Sequence, residues 1–315
     1  MAKIEYDEKN YLTAGEFLQA ILPTGQYFQG DILTPTWLFR GQGQDWKLVP
    51  SLFRKDKNGK DKIKSLTMHS IDSYEDLLVT ERDFLLDFFS IADKRGYPIP
   101  DDSQELRSDL NDARMDHYVV NRYPVEWITA GKVLSLTALA QHYGVPTRLL
   151  DWTLSSLCAA YFAAESGIKR ENIEHKGDNE SPIVVWGFYY PWFGLRTSMV
   201  KNSYSLRGIT VPGASNPNLK AQQGVFTLIH PDYTNERDGD FLPFDVILEN
   251  IASSSRSRDV SSCKLLKFTL PVTEAGELLR LLAQLDVSAS SIYPGYHSVV
   301  ADIQNRRSWG IPLLS

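Results

Sequence analysis

Cysteine is scarce in this sequence, and long apolar runs are missing. Cys158 and Cys263 are the only two in 315 residues, far apart and without a partner at metal-ligand spacing. That excludes a disulfide framework and a cysteine-built metal site. Cys158 lies in an apolar helical run and reads as a small core residue. No stretch approaches the roughly 18 consecutive apolar residues of a transmembrane helix, and Met1–Asn10 lacks the apolar segment and cleavage site of a signal peptide. The expectation is a cytoplasmic protein with no membrane role. Positive charge is not in excess either: 33 basic residues against 39 acidic ones give a net charge of −6. Generic coating of DNA or RNA backbones is therefore not its main task. There is no Gly-x4-Gly-Lys-Ser/Thr loop, no His-Glu-x-x-His and no Gly-x-Ser-x-Gly elbow, and Gly41-Gln-Gly43 lacks the third glycine of a dinucleotide fingerprint. Kinase, zinc-protease and α/β-hydrolase chemistry have no footing here, and nothing calls for a metal.

What is present is an ordinary globular composition, 43% hydrophobic and 23% charged, in a chain long enough to bury a core without staples. Helices are expected over Ala14–Leu22, Ser73–Arg95, Ser135–Gly144, Leu154–Ala164 and Thr273–Leu285. Strands are expected at Thr36–Gly41, Thr147–Thr153, Ile183–Tyr190, Gly224–Ile229 and Lys264–Leu270. Asp101–Asp116 reads as a polar connector or exposed helix, and a last segment lies near Val299. Arg54–Lys64, with six basic and two acidic residues around Asn58-Gly59, reads as an exposed turn. The elements mix without strict alternation, which favours α+β. In the Ser73–Arg95 helix, Glu81 falls inside the apolar arc formed by Leu77, Leu78, Phe84, Leu85, Phe88, Phe89 and Ala92. A carboxylate there needs a partner. A buried structural arginine is the favoured one; the alternative is that Glu81 orients an arginine of the active site.

One block concentrates polar chemistry inside apolar sequence: Gln141-His-Tyr-Gly-Val-Pro-Thr-Arg-Leu-Leu-Asp-Trp-Thr153. His142 ends a helix, where the dipole favours its charged form. Arg148 and Asp151, three apart, read either as a structural ion pair or as part of a site.

Together with Leu38-Phe-Arg-Gly41 and Asn216-Pro-Asn-Leu-Lys-Ala-Gln-Gln-Gly-Val-Phe226, this block resembles the three blocks of the FRG domain family, from about Trp37 to about Ala301. The resemblance implies a helical extension over 1–36, the domain over 37–301 and a tail over 302–315. It implies a single domain with a mixed, split β-sheet flanked by helices, of the ADP-ribosyltransferase-like type. It also implies NAD as substrate, an RNA or protein acceptor, and a toxin or phage-defence role restrained by an antitoxin or chaperone. By that analogy Arg40, with Gly41 and Gln42 beside it, anchors NAD. Thr147, Arg148 and Thr153 line its site, as does Ser155, and Trp152 stacks on nicotinamide. Gln222 positions ribose, and Arg40, His142, Asp151 and Gln223 are the catalytic set. One departure stands out. A glutamine pair occupies the place where such transferases carry a glutamate, and an amide cannot serve as a base. The base is then Asp151, His142 or Glu81, or none is needed. A binding domain without transfer activity and an NAD glycohydrolase are the alternatives.

Overall fold

The computed structural model describes residues 5–28, 37–55, 62–67, 71, 74–115, 133–173, 181–190, 199–201, 204–213, 216–231, 243–254 and 263–308, and the fold is told for these. The strands are β1 (Glu5–Asn10), β2 (Trp37–Gln42), β3 (Leu149–Thr153), β4 (Ile183–Tyr189), β5 (Met199–Lys201), β6 (Tyr204–Ile209), β7 (Gly224–Pro231) and β8 (Lys264–Leu270). They form one mixed sheet in the order β1-β8-β4-β2-β3-β7-β6-β5. Only β1 and β8 run parallel; the other neighbours are antiparallel. The α+β expectation holds.

The joint between β2 and β3 is weak. β2 pairs with β4 through six residues and β3 with β7 through five, yet β2 meets β3 only at Phe39 opposite Thr153. The sheet is thus two half-sheets, β1-β8-β4-β2 and β3-β7-β6-β5, hinged on one residue pair.

The helices are α1 (Ala14–Ile21), α2 (Tyr74–Lys94), α3 (Gln104–Met115), α4 (Val133–His142), α5 (Ser156–Ile173), α6 (Pro217–Ala221), α7 (Phe244–Ser254), α8 (Ala275–Gln284), α9 (Ala289–Ile292) and α10 (Tyr296–Ser308). On one face, α1, α5 and α8 cover the first half-sheet through Phe17, Ala159, Ala163 and Leu278 against Phe39, Val185 and Phe268. The close seat of α5 is made by small residues: a Cβ on Gly41 would lie 1.8 Å from the Ala159 carbonyl oxygen. On the same side of the second half-sheet, α2, α3 and α4 pack Leu85, Leu106 and Leu136 against Leu149, Phe226 and Leu228. On the other side, Leu38, Trp186, Phe188, Leu150 and Trp152 share one core with Phe244 and Ile247 of α7. That apolar cluster binds the two half-sheets where the ladder does not.

Differences from the expectations have physical reasons. Residues 1–36 supply helix α1, but also β1, which extends the sheet in parallel with β8. Its sequence is charged because it is an edge strand, where charge discourages further pairing. α5 runs on to Ile173, past the expected end at Ala164, and α10 carries into the expected tail as far as Ser308. α2 ends as expected at Gly96, whose φ of 72° lets the Tyr97 N–H bond back to Ala92; its expected cap, Ser73, lies outside the described residues. No helix among the described residues is long and apolar enough to cross a membrane.

Candidate functional site

The polar block folds as a hairpin of helix and strand. α4 stops at Gly144, with φ of 95°, where the Val145 N–H bonds back to Ala140 and turns the chain into β3. Thr147 then ties the turn to a distant loop. Its N–H donates to Ser51 Oγ at 3.0 Å, and its carbonyl accepts from the Leu52 N–H at 3.1 Å and Ser51 Oγ at 3.3 Å. Its hydroxyl donates to Gln141 Oε1. Thr147 is fully buried and is a structural fastening.

Arg148 and Asp151 do not pair with each other. Arg148 turns into the core and meets Glu81: its Nε lies 2.5 Å from Oε2 and its backbone N–H donates to Oε1 at 2.7 Å. The two side chains are 1% and 0% exposed. Burial pushes the Glu81 carboxyl upward, while Arg148 pulls against it. This is the buried structural pair anticipated for Glu81, and it removes Arg148 from the expected NAD-lining set.

Asp151 instead faces the opening between the half-sheets. On that face β3 reads Leu149, Asp151, Thr153: Leu149 packs under α2–α4, Thr153 sits opposite Phe39 of β2, and Asp151 falls between. β2 offers Asp151 no ladder partner, and Arg40 fills the place. Its Nη1 donates to the Asp151 carbonyl at 2.8 Å and lies 2.7 Å from the carboxylate Oδ1. Arg40's side chain is 10% exposed, whereas that of Asp151 is 57% exposed. Gln141 Nε2 donates to the same carboxylate at 3.2 Å, so the Thr147 fastening also orients Asp151. Crowding by protein raises the Asp151 pKa, but Arg40 and then Arg54 more than offset this, and the carboxyl is held below its ordinary value.

His142 is exposed at the end of α4, edge-on to the exposed Tyr143. Burial lowers its pKa and Asp151 only partly opposes this. The shift is toward the neutral form, opposite in direction to the expectation from the helix dipole.

The structure thus brings Arg40, His142 and Asp151 together. It gives several other expected residues different work. Trp152 is 3% exposed, donates through Nε1 to Thr227 Oγ1 at 2.9 Å and packs on Phe188 and Phe244; its ring is core and does not face the opening. Gln42 is buried and accepts from Trp186 Nε1 at 3.0 Å. Gly41 is the seat of α5. Thr153 is buried, with its hydroxyl donating to the Gln222 carbonyl at 2.7 Å and accepting from the Ser155 N–H; Ser155 Oγ accepts from the Cys158 N–H at the start of α5. Cys158 is core, its thiol pushed by burial up to about 12. Gln222 reaches the Ile292 carbonyl at 3.5 Å. Gln223 is exposed with φ of 48°, one residue before the Gly224 that sits opposite Thr153. It is thus near the β3 end, Thr153 lying two residues, about 7 Å, from Asp151.

Two contributors escaped the sequence. Gln141 stood in the block but carried no titratable group. Arg54 was placed in an exposed turn, yet it is half-buried, with Nε donating to the Val49 carbonyl at 3.0 Å. Burial and the nearby Arg40 lower its pKa, and Asp151 raises it.

The FRG domain family's model matches residues 35–172. Over these residues the chain is similar to the FRG domain. The matched residues hold both ion pairs, β2, β3 and all but the last residue of α5; the glutamine pair lies beyond them. No curated protein and no solved structure matches the chain.

Proposed function

We propose that this protein cleaves NAD and transfers ADP-ribose to a macromolecular acceptor, RNA or protein, as a toxin or phage-defence effector. One observation carries the reading: an ionised, solvent-open Asp151 carboxylate set against the nine-tenths-buried Arg40 where the sheet divides. In this reading Arg40 grips NAD, and Asp151 supplies the negative charge that the glutamine pair lacks. The bond from the anomeric carbon to the nicotinamide nitrogen breaks and its electron pair leaves with nicotinamide. Asp151 stabilises the positive charge left on the ribose. The acceptor then bonds to the anomeric carbon, and neutral His142 takes its proton. Gln222 and Gln223 hydrogen-bond the ribose hydroxyls. An antitoxin or chaperone partner belongs to the same reading and rests on the family resemblance alone.

The test incubates the protein with labelled NAD and whole-cell lysate, with Arg40→Ala as control. Label removed by nuclease marks an RNA acceptor and label removed by protease a protein one, and Arg40→Ala should lower labelling by about 100-fold or more. An unimpaired Arg40→Ala protein contradicts the assignment. A second reading, nucleotide binding without transfer, is favoured by the glutamine pair and by the engagement of Asp151 with Arg40. It predicts neither label nor free nicotinamide. Free nicotinamide without label would mean a glycohydrolase.

A further inference from the structure

A second guanidinium shares the opening. Arg54 follows the 3-10 turn Ser51–Phe53, and the three hydrogen bonds to Thr147 fasten that turn to the block carrying Asp151. From Thr147 the hydrogen bonds run on through Gln141 to Asp151 and so to Arg40. Arg54 lies within electrostatic reach of both Arg40 and Asp151. Among the described residues, two guanidinium groups stand against one carboxylate there, an excess of one positive charge.

The donors are disposed accordingly. Arg40 spends Nη1 on Asp151, while among the described residues its Nε is buried with no hydrogen-bond partner and its Nη2 makes no hydrogen bond. Arg54 spends Nε on Val49, and among the described residues neither of its terminal nitrogens makes a hydrogen bond. Arg40 therefore keeps Nη2 for a ligand, its Nε being enclosed by protein, and Arg54 keeps its Nη1–Nη2 end. Guanidinium donors of this kind match the oxygens of a phosphate. Like charges repel, and holding two of them together is rewarded only when an anion bridges them.

We propose that Arg40 and Arg54 form a cradle for a diphosphate, Arg40 taking one phosphate and Arg54 the next. The proposal deepens the NAD reading: it borrows the dinucleotide from it, but the charge and the uncommitted donors stand without it. Arg54 then selects ligands with two linked phosphates over those with one.

The experiment measures binding of inorganic pyrophosphate and inorganic phosphate to the full chain by calorimetry, in wild type and Arg54→Gln. Arg54→Gln should weaken pyrophosphate by about 10-fold or more and phosphate much less. Phenylglyoxal labelling of Arg54 in the wild-type protein, read by mass spectrometry, should slow when pyrophosphate is present. A folded Arg54→Gln protein with wild-type pyrophosphate affinity overturns the cradle. If the variant does not fold, unslowed labelling in the wild type overturns it. Pyrophosphate binding that needs Arg54, without nicotinamide release from NAD, upholds the cradle and removes the NAD reading. Nicotinamide release with an unchanged KM for NAD in Arg54→Gln does the reverse.

Discussion

Arg148–Glu81 and Arg40–Asp151 are the same chemistry at nearly the same distance, 2.5 and 2.7 Å, in opposite surroundings. Arg148 and Asp151 stand three residues apart in one block, yet each takes a partner from a different element. The first pair is sealed between α2 and β3. The second lies where the half-sheets part and leaves its carboxylate open. An enclosed ion pair can only hold the fold together; an open one with spare donors can also meet a ligand. Burial, more than residue type, separates the two roles.

The sharpest way to break this contrast is to remove one member of each pair. Glu81→Ala removes the carboxylate from the buried, charged Arg148 and should cost about 3–5 kcal/mol in urea unfolding. A loss under about 1 kcal/mol would place the Glu81 pair with the open ones. Asp151→Asn should do the opposite: a stability change within about 1 kcal/mol, but nicotinamide release from NAD lowered by about 100-fold or more. Trp152→Phe tests whether that ring belongs to the core. It should lose about 1 kcal/mol with its bond to Thr227, while NAD affinity stays within about twofold; a larger fall in affinity would return the ring to the site. Smallest is the pH effect of His142. Its depressed pKa means that its contribution to stability is full above about pH 6.5 and is lost as pH falls through its folded value. Unfolding of wild type and His142→Ala between pH 7 and 5 should therefore diverge by about 0.5 kcal/mol or less. For Asp151, also depressed, the contribution is full above the ordinary carboxylate value near pH 4 and vanishes only below it. A loss of turnover between pH 5 and 7 would then trace to His142.

Local pattern was legible and pairing was not. The 3.6-residue period of α2 placed Glu81 in the apolar arc and so demanded a partner, but the partner is 67 residues away and periodicity speaks for one element at a time. Strands β2, β4, β7 and β8 stood out because they are apolar and aromatic, whereas β1 has Tyr6 among five polar residues and was not expected as a strand. The block was visible as polar residues in apolar sequence. Which of them face the opening depends on where β2 leaves β3, a tertiary event with no local signature. Trp152 is the instructive case, since an aromatic residue beside polar ones reads as a stacking platform until the core of α7 covers it. Arg54 is the converse, hidden in a basic stretch whose remaining charges read as a solvated turn.

The most direct test of the central claim is nicotinamide release from NAD by Asp151→Asn, at matched folded fraction against wild type. The account predicts a folded protein with release lowered by about 100-fold or more. A folded Asp151→Asn protein releasing nicotinamide at the wild-type rate would contradict it.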